Sequence, residues 1–202
     1  MAPVKRSAKE SRRALLVVAE QQQGLFTARQ GRDAGYSDAA RVYQAKAGNW
    51  IRMARGVYRL AEYPAADRPD LVLWSLWSRD AQDVPQGVYS HQTVLSIHEL
   101  TDLNPAKLHL TVPRCFRRRS DIPKILILHK ADLPASDIID MEGYRVTSAL
   151  RAIVDLLASG AVHPDVLRSG LREGLRSGQI PLPEARRARD EGLLGELVDE
   201  VG

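Results

Sequence analysis

The segment Gly24–Leu60 reads GLFTARQGRDAGYSDAARVYQAKAGNWIRMARGVYRL, and the rest of the chain is read outward from it. Two short helical stretches flank a glycine turn at Gly35, and a compact basic hairpin follows. That order predicts a winged helix-turn-helix, with one helix entering the DNA major groove and the hairpin lying along the backbone. Thr27 is placed to cap a helix over 28–34, closed by Gly35. Ser37 is placed to cap a second helix ending near Ala47, with Gly48 as its stop.

On this second helix, periodicity assigns Ala39, Val42, Tyr43 and the stem of Lys46 to the inward face. Ser37, Asp38, Arg41 and Gln44 then turn outward. Arginine and glutamine make paired hydrogen bonds to guanine and adenine edges, so Ser37, Arg41 and Gln44 are the expected base-reading residues. Thr27, Arg29 and Lys46 are expected on phosphates, together with the hairpin arginines Arg52, Arg55 and Arg59. Such contacts add salt-dependent affinity without sequence information. Trp50 and Tyr58 read as packing residues that pin the hairpin to the helices. Upstream, residues 7–22 form a helix with Ser7 and Glu10 at capping-box spacing.

Charge divides the chain in the same place. The 202 residues carry a net +4, but residues 1–62 alone carry +7 and the remainder −3. A basic head on a mildly acidic body is the footprint of a nucleic-acid binder with a second task. The proline-containing stretch Tyr63–Pro69 marks a boundary, giving a DNA-binding domain over 1–62 and an α+β domain over 66–202. No apolar run approaches the roughly 18 residues of a membrane span, so a cytoplasmic protein with no membrane partner is expected. The single cysteine, Cys115, excludes an intramolecular disulfide and a cysteine-based zinc site.

The body reads as short strands near Val88, Lys107–Pro113, Lys124–Lys130 and Tyr144–Thr147, with helices over 70–78, 91–100, 148–157, 165–177 and 184–198. The fold class is therefore α+β: a winged head, then a small sheet with several helices. Phosphate-cradling glycine motifs and a GxSxG elbow are both missing, so no cofactor and no catalytic residue are assigned. The five histidines lack ligand spacing, so no metal site is expected. Ser90 and His91, read as strand neighbours, should face opposite ways. Two surfaces suit a partner: the loop with Arg114, Arg117, Arg118 and Arg119, and a C-terminal apolar strip of Leu193, Leu194, Leu197 and Val198 among acidic residues.

GLFTARQ, AGYS and GNWIRMARGVYRL together resemble the N-terminal winged helix of AbiEi-type antitoxins. SHQTVLSIHELTDLNPAKLHLTVP and RVTSALRAIVDLL are similar to that family's second domain, so the likeness spans roughly Gly24 to Leu157. It implies a bacterial antitoxin encoded beside a nucleotidyltransferase-like toxin. Its head would bind inverted repeats in its own promoter and repress it, and its second domain would counter the toxin. Val42 and Ala45 stand where the family usually has leucines. Two other readings stay open. One is an enzyme that modifies the toxin, for instance by phosphoryl transfer, through Ser90, His91, His109 and Thr147 brought together in space. The other is a plain repressor that answers a small molecule.

Overall fold

The computed structural model describes residues 6–64, 66–118 and 121–201. The chain divides into two units. The first runs through Gly87 and takes in Asp140–Arg145; the second holds Val88–Ile139 and the chain from Val146 onward.

The first unit begins with α1 (Ala8–Glu20). Ser7 Oγ accepts from Glu10 N, and the Glu10 carboxylate accepts from Ser7 N, the reciprocal box the sequence predicts. β1 (Leu25–Thr27) leads directly into α2 (Ala28–Asp33). Thr27 caps α2 through a second such box with Gln30. α3 (Asp38–Lys46) follows, capped by Ser37 Oγ on Ala40 N. The hairpin is β2 (Trp50–Ala54) and β3 (Val57–Leu60).

Leu25 and Phe26 are fully buried and belong to a strand. β1 pairs antiparallel with β3, Phe26 opposite Tyr58, and the sheet order is β1-β3-β2. On its helix side this sheet carries an aromatic core. Trp50 lies 4.7 Å edge-on to Phe26 and 4.9 Å from Tyr36, ring centre to ring centre. Leu15, Ala19 and Leu60 complete it.

The other face of the sheet is covered by α4 (Pro69–Trp77), with Leu71 and Val72 fully buried. From sequence alone this helix falls in the second domain. Leu25 and Val57 leave an apolar face that needs a cover, and the nearest apolar helix in the chain supplies it.

Gly24 ends α1's turn at φ +83°, and a Cβ there would sit 2.5 Å from the Tyr63 ring. Gly48 has a similar φ of +79° but open space around it. Gly24→Ala is therefore expected to cost about 2 kcal/mol or more, and Gly48→Ala about 1 kcal/mol, in denaturant unfolding. Equal costs would mean that the ring contact is relieved without strain.

The second unit is built on a five-stranded sheet of order β6-β5-β4-β8-β7. The strands are β4 (Val88–Tyr89), β5 (Leu108–Val112), β6 (Leu126–Lys130), β7 (Ile138–Asp140) and β8 (Arg145–Thr147). β4 runs antiparallel to β5 and parallel to β8, and β5 runs parallel to β6. The helices are α5 (His91–Ile97), α6 (Ala149–Ser159), α7 (Pro164–Ser177) and α8 (Leu182–Asp190). Ser148 caps α6 through its side chain on Arg151 N. The mixed α+β class agrees with the sequence reading.

The C-terminal segment departs from that reading. The helix expected over 184–198 stops at Asp190, because Gly192 turns left-handed at φ +73°. Leu193 N then bonds back to Ala188 O, and Gly192 N to Arg189 O, the Schellman closure. A 3-10 turn (Gly195–Glu200) follows and folds onto α7. Arg172 makes a two-pronged contact to Glu200 at 3.1 Å on each prong. Leu194 and Leu197 are thereby buried at 0% exposure, so they form no partner-binding strip. Two of the acidic residues beside it pair with the chain's own arginines, Glu200 with Arg172 and Arg168 and Asp190 with Arg189. The Val198 side chain lies outside the described residues.

No helix among the described residues is long and apolar enough to cross a membrane.

Candidate nucleic-acid interface

α2, the turn at Gly35 and α3 form a helix-turn-helix pair, with α3 resting on the hairpin through β2. The facing of α3 departs from the sequence reading: Arg41 and Gln44 turn partly inward and Ala39, Val42, Tyr43 and Lys46 turn out, while Ser37 and Asp38 are exposed as read. Val42 and Tyr43 are 44% and 67% exposed, and Ala39 and Lys46 are exposed with them. Ala40, Arg41, Gln44 and Ala45 are the half-buried positions. The reason lies in the core. Phe26, Tyr36, Trp50 and Tyr58 make up the core of this unit without any α3 side chain, and Val42 and Tyr43 stay outside it.

The expected base-reading residues are consequently engaged within the unit. Arg41 Nη1 donates to the Tyr58 hydroxyl at 2.8 Å, and its Nε donates to Asp38 at 3.3 Å. Gln44 Oε1 accepts from Asn49 Nδ2 at 2.7 Å and lines a cleft with Leu16, Tyr36 and Trp50. Ser37 is exposed, with its hydroxyl spent on the helix cap. The face free for a ligand is Ala39, Val42, Tyr43 and Lys46, spaced i, i+3, i+4 and i+7.

The expected phosphate contacts separate in the same way. Lys46, Arg52 and Arg55 are exposed. Arg29 is exposed and donates to Ala81 O at 2.8 Å. Arg59 is half-buried and donates to Tyr63 O at 3.0 Å. Thr27 is 1% exposed; its hydroxyl caps α2 and donates to Asp83, so it is not available to DNA.

The hairpin turn is held from below. Gly56 O accepts from Ala28 N at 2.9 Å and from Arg79 Nη2 at 3.2 Å. Arg79 is itself ion-paired with Asp83 at 2.9 Å, both largely buried. Ile51 and Met53 on β2 are exposed.

Residues 13–61 match the family described as transcriptional regulator, AbiEi antitoxin. The AbiEi match runs from within α1 to the end of β3 and takes in the head motifs GLFTARQ, AGYS and GNWIRMARGVYRL, but not the second-domain motifs to which the sequence reading extends the resemblance. No curated protein matches the chain. Among solved structures, the crystal structure of the RV2827C protein from Mycobacterium tuberculosis is similar, with a TM-score of 0.57 at 12% identity. The likeness covers 99% of this chain and 80% of that one, and it is a likeness of fold.

Outside the AbiEi match, the second unit gathers three histidines that the sequence reading leaves apart. His91 opens α5, His109 lies on β5 and His129 on β6. One ring nitrogen from each lies within 4.8 Å of one from each of the others. Ser90 and His91 do not face apart as strand neighbours would. The backbone turns at His91, φ +54°, and Ser90 Oγ sits 2.9 Å from His91 Nδ1. Burial first, then the neighbouring imidazoles, hold His91 down to about 3 and His109 to about 4. His129 is also lowered by burial, opposed by the Asp155 carboxylate. All three are therefore neutral near pH 7. No linear spacing announces this cluster; the only sequence signal is that two of the histidines lie on strands read correctly. In the basic loop, Arg117 is exposed and Arg118 is half-buried, and Arg119 lies outside the described residues.

Proposed function

We propose that the first unit is a winged helix-turn-helix that reads duplex DNA with the outward face of α3. The observation that carries this is the exposure of Val42, Tyr43 and Lys46 on one face of a helix-turn-helix whose other face is committed to its own core. Val42 and Ala39 suit thymine methyl groups, and Tyr43 and Lys46 supply polar contacts to base edges. Arg52 and Arg55 on the hairpin supply phosphate contacts, with Arg29 at the start of α2. The chain then acts as a DNA-binding regulator and antitoxin. Its DNA target is an inverted repeat in its own promoter, and its protein partner is a nucleotidyltransferase-like toxin engaged by the second unit. The family match and the basic first unit support this reading, and exposed Arg117 is a candidate contact to the partner.

The test is promoter binding by the full chain, measured by fluorescence anisotropy against promoter and scrambled duplexes over a salt series. Tyr43→Ala with Lys46→Ala is expected to erase about 1–3 kcal/mol of discrimination per lost base contact. Arg55→Ala is expected to weaken both duplexes alike and to reduce the salt slope by about one. Equal loss on both duplexes for the α3 pair would overturn the assignment of that face. Copurification with the product of the adjacent reading frame tests the antitoxin half.

A further inference from the structure

We propose that His91, His109 and His129 form a binding site for a first-row transition-metal dication of the zinc type, with three imidazole ligands and a fourth position open to water. The proposal concerns the second unit alone and does not depend on DNA binding.

The sheet puts these groups together. Thr111 pairs with His129 across β5 and β6, and Val88 pairs with Thr111 across β4 and β5. Residues two apart on a strand share a face, so His109, Thr111, His129 and Ser90 all lie on one side. Tyr89 pairs with Val146, which puts Thr147 on that side too. One face of a central sheet thus carries hydroxyls and imidazoles where aliphatic residues would ordinarily pack. Burying polar groups is costly unless something satisfies them. Within the described residues, the fully buried Thr147 Oγ1 has no hydrogen-bond partner.

The donor geometry fits a metal. Three nitrogens within 4.8 Å of one another share a centre within about 3 Å of each, against zinc–nitrogen bonds of about 2 Å, so side-chain shifts of roughly 1 Å complete the site. His109 Nδ1 and His129 Nε2 are already 3.0 Å apart. That separation suits either one shared proton or two ligands on adjacent corners of a tetrahedron. His91 stacks on His129 at 3.7 Å between ring centres. Its Nδ1 is occupied by Ser90 Oγ, leaving Nε2 as the donor, and Ser90 Oγ in turn accepts from Thr111 Oγ1 at 2.7 Å. An outer partner that fixes one ring nitrogen so that the other can bind metal is the usual support for a histidine ligand.

Backbone strain points the same way. A buried histidine at φ +54° is held there by its surroundings, and such strain gathers at functional positions. Imidazole donors select zinc and its neighbours over magnesium or calcium. Arg151 bears on His91 and opposes a cation, but it is paired with Asp155 at 2.8 Å and Asp137 at 2.9 Å. His129 is only half-buried, which gives the ion an entry and the fourth position its water.

The test uses the full chain, stripped with a chelator and titrated separately with cobalt(II) chloride and zinc chloride. The expected result is one metal per chain after desalting, intense visible cobalt bands typical of tetrahedral coordination, and a rise in Tm with zinc. His129→Gln and His91→Gln are each expected to weaken binding by roughly 100-fold or more, and Ser90→Ala by about 10-fold. His163→Gln, on an exposed helix cap, leaves binding unchanged. If His91→Gln fails to fold, His129→Gln at the half-exposed edge decides, with circular dichroism reporting its fold. Substoichiometric metal after desalting, or stoichiometric binding that survives His129→Gln, overturns the proposal.

Discussion

Trp50→Ala is expected to remove about 3–5 kcal/mol from the first unit and with it all specific DNA binding. Trp50 is 4% exposed at the start of β2, where it touches Phe26, Tyr36 and Tyr58. Among the described residues, it is the side chain that meets rings from β1, from the turn before α3 and from β3. Deleting it loses the transfer energy of a large aromatic and leaves a hole between elements that cannot collapse independently. A three-stranded sheet with nine-residue helices has little reserve against such a loss. Urea unfolding followed by tyrosine fluorescence and circular dichroism measures the cost, and Trp50→Phe should recover more than half. A loss below 1 kcal/mol would show that the aromatic cluster does not hold the unit together.

Leu197→Asp is expected to cost on the order of 4 kcal/mol or more in the second unit, whereas Leu193→Asp should stay within about 0.5 kcal/mol. Leu197 is fully buried and Leu193 is 46% exposed, although they are only four residues apart. The aspartate at 197 loses the leucine's burial and brings a carboxylate into a fully buried position. An apolar strip waiting for a partner would behave differently: both substitutions would leave the free protein's stability alone and affect only association. Thermal unfolding of the two variants separates the accounts, and equal Tm values for both would restore the docking strip.

What the sequence disclosed was mostly local. Ser7, Thr27 and Ser37 all cap the helices assigned to them from the sequence, because capping depends on a side chain and a backbone amide two or three residues away. Strands β5 and β6 were legible from alternation. The facing of α3 was not. Its nine residues span two and a half turns, and which face turns inward was decided by aromatics from four other elements rather than by its own periodicity. β1 was missed because three residues carry no period. The histidine cluster depends on the strand order β6-β5-β4, which no local pattern encodes. The stop of α8 rests on Gly192, a glycine in the left-handed conformation that ends a helix.

The anchoring of the Arg55–Gly56 turn by Ala28 and Arg79 bears on how tightly any polyanion can be held there. A floppy hairpin would have to be frozen on contact, at about 1–2 kcal/mol of backbone entropy for each residue ordered. Here that expense was met during folding, so a ligand that closes on Arg55 immobilises one side chain only. Loosening the tether, for instance by Arg79→Ala, should slow nothing in the encounter but let the complex fall apart sooner.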